Sequence, residues 1–598
     1  MSIPFFRRFQ RKLRYKSWVI YFLALIVVYL TLVKLAGSLN KWEFGMWQSE
    51  IFADKAGYYI YLPATFIHGF YKDTYPKNIE YRLDGFKFIK QKVVTKYTCG
   101  VAILSSPFFL ISHAAIKLSG AKADGFSTDY LSFTYYASVF YLMLGMIALF
   151  LFLRRRFSII ASFLTIILLT FGTNLYYYTF YDPYMSHIYS FAMFAILLYL
   201  TDQFWINKKR LTLILLAIVS GFILLLRPSN IIFLSVILFL DISSFRQLKE
   251  RFLVLISPIN LSLFAGLSFL VLLPQMIYWK FISGSFIFYS YKGEGFTNWK
   301  QPKIIEVLFS PNNGLIPYTP AFILIIIGII VLLARKKANR WMVAALFLLH
   351  LYIVSSWWVF NYGCSFGQRS FVEFLAITSI PLAGLFKISR KPFNIAWLIT
   401  LLLIFGYFIF FNLRVTNSYL RCFTGSDWDW KLYKRHLLRA EVLPLPEKNF
   451  SWKNDFENPD PDNFSGSPIV KSDHAYSGDY VNAVSDLNRG SKSFNTQLED
   501  IDAGNIYKVK AKIEAFIDSP VKNAVMICQI IKNDSSTYYS SIQLDPKQKS
   551  PVKKWTTLEA DFIVPFMAPE GKMSIYIFLN DGQDMLIDDF SVNIYSEK

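Results

Sequence analysis

The sequence predicts a polytopic α-helical membrane protein of about eleven spans, followed by an all-β sandwich-like domain. Three observations predict it. The 598-residue chain is 54% hydrophobic and only 17% charged, against roughly 25% charged residues in a soluble domain. Its basic residues gather in short clusters, with enough apolar sequence between consecutive clusters for a helical hairpin. After about Asn412 the long apolar runs stop and short alternating segments begin.

The first element is basic (Arg7, Arg8, Arg11, Lys12, Arg14, Lys16) and leads into an apolar run from Trp18 to Ala36, interrupted by Lys34 near its outer end. A run of this length, with many more behind it, reads as a retained helix and not a cleaved signal. Further basic clusters stand at Arg154–Arg156, Lys208–Arg210, Arg246–Arg251, Arg335–Arg340 and Lys387–Lys391. Placed together on the cytoplasmic side they obey the positive-inside rule without exception. The net charge of +21 is therefore topology and not nucleic-acid affinity. The spans fall at 17–37, 130–153, 157–176, 186–205, 211–226, 230–241, 253–279, 319–334, 341–360, 371–387 and 393–413. Residues 99–118 are apolar enough to cross, but counting them would put Arg154–Arg156 outside. They read as a helix on or dipping into the outer leaflet. The odd number of spans leaves the C-terminus extracytoplasmic, in an inner or plasma membrane. Outside also lie the loops 38–98 and 280–318 and the polar, aromatic turns 174–187, 227–230 and 361–370.

Residues 414–450 read as a connector between a membrane domain (1–413) and an extracytoplasmic sandwich (451–598). Strand-like runs stand at Tyr507–Ile517, Ala524–Ile531, Tyr538–Leu544, Thr556–Val564, Met573–Leu579 and Met585–Tyr595, separated by Asp, Asn, Pro, Ser and Gly. No internal repeat or low-complexity tract is evident.

The chemistry-bearing residues fall on the outer face, where no nucleotide is at hand but a lipid-linked substrate is. Asp54 follows the first span beside Tyr58, Tyr59 and Tyr61. A carboxylate near the bilayer surface has its pKa raised by desolvation, which suits a general base; the plain alternative is a solvated loop acid. The turn Tyr176–His187 is either an interfacial aromatic belt or part of a site, with Asp182 and His187 as ionisable groups at a span's edge. Arg227, in Arg227-Pro228-Ser229-Asn230, breaks two short apolar runs. It needs an anion, a carboxylate partner or a route to water. Trp357 to Phe371 carries two tryptophans, two glycines for a tight turn and Arg369, set to meet an anion at a helix start. The loop Phe309–Tyr318 reads as a turn re-entering the membrane. Asp54 is the expected catalytic base and Arg227 and Arg369 the phosphate ligands. Lys55, Tyr58, Tyr181, Asp182, His187, Trp357, Asn361 and Gln368 are the expected substrate contacts.

No phosphate loop, dinucleotide fingerprint, HExxH or CxxC pair is present. Cys99, Cys364 and Cys422 lie near the outer face, but their spacing does not indicate a disulfide.

Several segments together resemble the GT-C class of polytopic glycosyltransferases, of the dolichyl-phosphate-mannose-protein mannosyltransferase type. They are Asp54…Tyr58-Tyr59…Tyr61-Leu62-Pro63, Tyr97…Gly100…Pro107-Phe108-Phe109, Met185-Ser186-His187, Arg227-Pro228, Phe309-Ser310-Pro311…Gly314-Leu315 and Ser365–Arg369. Their order over residues 15–413 carries the resemblance. It implies a polyprenyl-phosphate monosaccharide donor, inversion at the anomeric carbon and Asp54 as activator of the acceptor, with Asp182 the nearest counterpart of a second acid. No second carboxylate stands beside Asp54, which leaves a divalent cation open. Tyr476–Tyr480 and Ile587–Val592 resemble carbohydrate-binding-module jelly rolls, although a structural sandwich without a ligand is the favoured reading of them.

Three functions compete: transfer of a sugar from a lipid phosphate to a glycan, lipid or protein acceptor; a transporter or flippase for a lipid-linked sugar; and a membrane anchor presenting a sugar-binding sandwich. Polar residues on one face and the lack of a repeat count against the transporter. The number of polar outer turns counts against the anchor.

Overall fold

The computed structural model describes residues 23–40, 49–77, 79–291, 293–363, 365–386, 392–419, 428–438, 447–457, 467–485, 487–500, 505–517, 524–532, 535–544, 551–564, 571–579 and 584–597. The basic stretch 7–16, the cluster Lys387–Lys391, Cys364 and Cys422 lie outside them. The chain divides into Met1–Thr424 and Gly425–Lys598.

The first unit is helical: α1 (Leu23–Leu39), α2 (Asp54–Tyr59), α3 (Gly100–Leu118), α4 (Ser132–Arg154), α5 (Ile159–Phe171), α6 (Leu175–Phe180), α7 (Ser186–Asn207), α8 (Arg210–Leu226), α9 (Phe245–Ile256), α10 (Pro258–Ser283), α11 (Phe322–Ala334), α12 (Arg340–Ser355), α13 (Leu375–Leu385) and α14 (Pro392–Ser418), with shorter turns between. Among the described residues, five helices are long and apolar enough to cross a membrane: α3, α4 with the turn before it, α7, α10 and residues 399–418 of α14. Helix starts follow local chemistry. Ser158 caps α5 by accepting from Ala161 N, and Ser244 caps α9 from Gln247 N.

Burial sorts these helices. α7 is buried over nearly every position from Ser186 to Ala195, so it is the central helix. α10 buries only Ser268, Gln275 and Tyr278, while Ile259, Leu261, Phe269, Leu270 and Ile277 stay exposed. An apolar surface of that extent is stable against lipid and not against water. α4 packs on α7 where a Cβ on Gly145 would lie 3.0 Å from Ala192 Cα. Small residues at such crossings let helices approach closely.

Three segments differ from expectation. α5 stops at Phe171 because the Thr173 hydroxyl takes the Leu169 carbonyl and receives Leu175 N. The tyrosine-rich stretch then folds as α6, with Tyr176, Tyr177 and Tyr178 buried and not at an interface. The run 230–241 is a 3-10 segment, Pro228–Ser235, passing into a single turn, Val236–Phe239. The run 253–279 is two helices, hinged at Ser257-Pro258.

Both ends of α3 meet helix termini that the charge pattern assigns to one side. Thr98 Oγ1, just before it, donates to the Leu226 carbonyl at 3.3 Å, and His113 Nδ1 lies 2.6 Å from the Tyr130 hydroxyl. The opposite face is not merely basic. Arg156 bridges Asp202 (2.6 Å) and Asp241, Asp241 exchanges hydrogen bonds with Asn339, and Arg251 stacks over Trp205 while donating to the Leu238 and Leu240 carbonyls.

The second unit is two antiparallel sheets. One has the order β10-β7-β12-β5-β4, with β3 also on β12; the other is β6-β11-β8-β9. The strands are β3 (Glu447–Asn454), β4 (Ile469–Lys471), β5 (Tyr480–Val484), β6 (Phe494–Gln497), β7 (Asn505–Ile517), β8 (Ala524–Lys532), β9 (Ser535–Gln543), β10 (Trp555–Ile563), β11 (Lys572–Leu579) and β12 (Met585–Glu597). They are numbered after the hairpin β1 (Lys87–Ile89) and β2 (Lys92–Val94) of the first unit. β3 begins within the stretch read as a connector. Alternate residues fill the core: Val509, Ala511, Ile513 and Ala515 from β7 against Met526, Cys528 and Ile530 from β8 and Met573, Ile575 and Ile577 from β11. The two motifs read in this region touch. Buried Asp588 accepts from Tyr476 N (2.9 Å) and Ser477 N (3.0 Å), and burial raises its pKa.

Candidate functional site

Asp54 opens α2. The residue before it, Ala53, holds φ 49°, a conformation that costs a non-glycine residue energy and collects at functional sites. The Asp54 carboxylate faces Arg369, whose Nη2 is 3.0 Å from Oδ2, and its other oxygen accepts from the Tyr97 hydroxyl. Tyr97 is fixed from behind: a Cβ on Gly57, three residues along from Asp54, would fall 2.1 Å from Tyr97 Cδ2. Burial alone raises the Asp54 pKa. The Arg369 guanidinium, the Tyr97 hydrogen bond and the Lys96 ammonium outweigh it and hold the carboxyl below the ordinary aspartate value. The expected desolvation operates, but its net effect is overturned. Burial and Asp54 together push the Tyr97 phenol far up, so it stays protonated and donates.

A second carboxylate–arginine pair stands nearby. Arg227 Nη1 is 3.2 Å from Glu373 Oε1, and Glu373 Oε2 is 2.9 Å from His187 Nδ1. Glu373 is 1% exposed and His187 2%. Tyr58 lies between the two pairs, against Tyr97 on one side and Ser186, next to His187, on the other. Tyr58 packs on Tyr97 with ring centroids 4.7 Å apart and donates to Ser186 Oγ at 3.2 Å. Tyr362 lies under the Arg369 guanidinium, 5.8 Å from ring centroid to Cζ. Lys96 is tied to Glu294 at 2.5 Å, which brings the outer loop carrying Tyr291 to this space.

The remaining expected contacts sort differently. Lys55 and Asp182 form an ion pair at 2.6 Å, with Lys55 also on the Ser49 carbonyl at 2.8 Å. Each is thus the other's partner in this structure. The Tyr181 hydroxyl turns away to Asn417 on α14. Gln368 is fully buried and braces its own turn by donating to the Phe360 carbonyl at 3.0 Å. Asn361 caps the turn through Gly363 N, and Asn313 donates to its carbonyl. Trp357 packs edge-on against Phe296 and Tyr291. Gln368 and Asn361 thus spend part of their amides on the turn, while Gln368 Oε1 is buried with no hydrogen-bond partner among the described residues. Cys99 is a buried free thiol.

Sequence reasoning missed Glu373, Tyr97's role, Tyr291 and the Lys96–Glu294 tie. Glu373 carried a usable signal: an acid four residues beyond Arg369 inside an apolar run. Among the described residues, no group of three or more His, Cys, Asp or Glu side chains is placed to hold a metal ion.

A family model described as a family of unknown function (DUF6541) matches residues 117–361. No curated protein matches the chain. Among solved structures, apo ArnT from Cupriavidus metallidurans is similar at 12% identity and a TM-score of 0.40, covering 71% of this chain and 69% of its own. The oligosaccharyltransferase AglB from Archaeoglobus fulgidus, solved with an inhibitory peptide and a dolichol-phosphate, gives 12% and 0.39 over 67% of this chain and 56% of its own. The CBM22-1 xylan-binding domain of Paenibacillus barcinonensis Xyn10C gives 14% and 0.19 over 26% of this chain and 97% of its own. The first two likenesses extend over most of the chain and the third over a small part of it. At these identities and TM-scores, function is argued from the site.

Proposed function

We propose that the protein is an integral-membrane glycosyltransferase that moves one sugar from a polyprenyl phosphate to an acceptor hydroxyl on the extracytoplasmic face, with inversion. The observation that carries this reading is Asp54 held by Arg369 and Tyr97, with the Arg227–Glu373–His187 group joined to it through Tyr58. The acceptor oxygen bonds to the anomeric carbon, the bond from that carbon to the phosphate oxygen breaks, and the polyprenyl phosphate leaves with the electron pair. The acceptor proton goes to Asp54. The two guanidiniums suit the phosphate, since arginine matches its oxygens in planar pairs and stabilises charge as it develops.

A carboxylate gripped by a cation is a weak base. The phosphate of the donor competes for Arg369. As Arg369 turns to it, Asp54 loses its main counter-charge and gains basicity. The N-terminus is cytoplasmic and residues 415–598 extracytoplasmic in this reading, on the strength of the one-sided basic clusters.

The test is a transfer assay with purified full-length protein and a panel of polyprenyl-phosphate sugars, with and without chelator. Transfer from at least one donor that disappears in Asp54→Asn supports the reading. Donor movement across vesicles without transfer would replace it by the transporter.

A further inference from the structure

Glu373 serves two partners with its two oxygens, and they come from different helices. His187 belongs to the first turn of α7, and Arg227 follows the last residue of α8. The carboxylate lies in the turn between Arg369–Phe371 and α13. It therefore joins three chain segments at the border of the Asp54 space. A carboxylate this deeply buried is costly unless every lone pair is used.

The geometry also bears on where the His187 proton sits. Arg227 Nη1 is 3.1 Å from His187 Nδ1, and Glu373 Oε2 is 2.9 Å from the same nitrogen. A guanidinium only donates, and a carboxylate only accepts. Nδ1 cannot both accept from Arg227 and donate to Glu373. The shorter contact is the one to the carboxylate, and charge-assisted bonds are the stronger kind. With the proton on Nδ1, the neutral ring keeps a lone pair on Nε2. Nε2 makes no hydrogen bond among the described residues. The ring packs against Tyr178, which also senses Arg369.

We propose that Glu373 is the positioning carboxylate of this site: it fixes His187 as the Nδ1-protonated tautomer, so that Nε2 accepts a hydrogen bond from a hydroxyl of the donor sugar, and it holds Arg227 for the phosphate. The proposal rests on the transferase reading for its ligand. It requires a carboxylate specifically, because only a carboxylate accepts from both neighbours. A glutamine has one acceptor oxygen. Turned to Arg227, it presents its amide NH2 to Nδ1 and reverses the tautomer. Turned to His187, it sets NH2 against the guanidinium.

The test uses full-length protein in lipid nanodiscs with 15N-labelled histidine rings. The chain has 6 histidines, and loss of one signal in His187→Gln assigns the ring. The expected result is a single Nδ1-protonated tautomer at His187 that shifts or splits in Glu373→Gln while the other rings hold. In the transfer assay the donor KM rises about ten- to hundredfold, the worth of one or two hydrogen bonds to a charged group, with a smaller change in kcat. Glu373→Asp recovers part of both. An unchanged His187 signal with an unchanged donor KM in Glu373→Gln overturns the proposal. If that variant does not fold, Glu373→Asp is read in the same way, its shorter arm giving partial loss of both. Wild-type protein that transfers from no donor in the panel counts against the transferase reading, and the tautomer signal then decides the hold of Glu373 on His187 alone.

Discussion

Arg369 Nη2 stands 3.0 Å from Asp54 Oδ2, and the phenol of Tyr97 takes the other oxygen of the same carboxylate. The aspartate expected to receive a proton is thus fully engaged, and its strongest partner is also a residue suited to bind phosphate. The two halves of the proposed reaction share one side chain.

Asp54→Asn keeps the size of the side chain and removes the base. Transfer should fall by about 10²–10⁴, with donor binding retained through Arg227 and Arg369. Initial rates at saturating donor, together with binding of the polyprenyl phosphate, separate the two effects. Near-normal turnover would move the base elsewhere in the site.

The pH dependence has a defined sign. Asp54 has its folded pKa lowered, so its contribution to stability is fully present above the unfolded aspartate value of about 3.9 and is lost as pH falls through the lower folded value. The acid limb of kcat/KM, which reports the free protein, should therefore lie below the ordinary aspartate range. The limb of kcat, with donor bound and Arg369 drawn to phosphate, should lie at higher pH. Arg369→Ala should move the kcat/KM limb upward. A limb that does not respond belongs to another group.

Gly57→Ala places a methyl within 2.1 Å of the Tyr97 ring and 2.7 Å of the Gly85 carbonyl. Backbone cannot yield cheaply, so the variant should lose about 1–3 kcal/mol of stability. It should also lose activity beyond that of Tyr97→Phe, which removes only the hydroxyl. Thermal unfolding in detergent and transfer rates read the two losses separately.

Asp182→Asn leaves Lys55 buried with the Ser49 carbonyl as its hydrogen-bond partner. Breaking a buried pair on one side is costly, about 3–5 kcal/mol. The expected signature is a lowered unfolding temperature with a smaller loss of turnover than Asp54→Asn shows. A loss of turnover as large as that of Asp54→Asn, in protein of normal stability, would return Asp182 to the substrate.

On the opposite face, Arg156→Ala strips one guanidinium from two carboxylates, Asp202 and Asp241. A loss of stability of about 1–3 kcal/mol is expected without a change in donor KM, since Asp202 keeps Arg155 at 3.1 Å. Unfolding midpoints and steady-state kinetics check it.

The parts of the fold set by periodicity were legible. β7, β8, β10, β11 and β12 begin and end within a few residues of the alternating runs, because a sheet with one buried face imposes period two on its sequence. α7 and α8 follow their apolar runs for the same kind of reason. What escaped was set by single contacts. The hydroxyl of Thr173 ends α5, and no hydropathy window registers one hydroxyl. Strands β4 and β6 are too short for a pattern. In the site, the charged residues stood out because charge beside an apolar run is conspicuous, but their pairing did not. Lys55 meets Asp182 across loops far apart in sequence, and Arg227 meets Glu373, which lay unread within a span. Asn361 and Gln368 stood out by proximity to Arg369 along the chain, and each gives part of its amide to the turn itself.

The strand that opens the sandwich and the strand that closes it run side by side, with Glu447 opposite Ser596 and Phe590 opposite Asn454. The first and last described strands of this unit therefore lie side by side, and among the described residues both sheets are built from Gly425–Lys598 alone. Such a layout makes the region portable. Expressed from about residue 439 to the end, it should fold as an autonomous fragment with cooperative unfolding and a β-type circular dichroism spectrum. The membrane unit would then be free to keep or shed it as a detachable module.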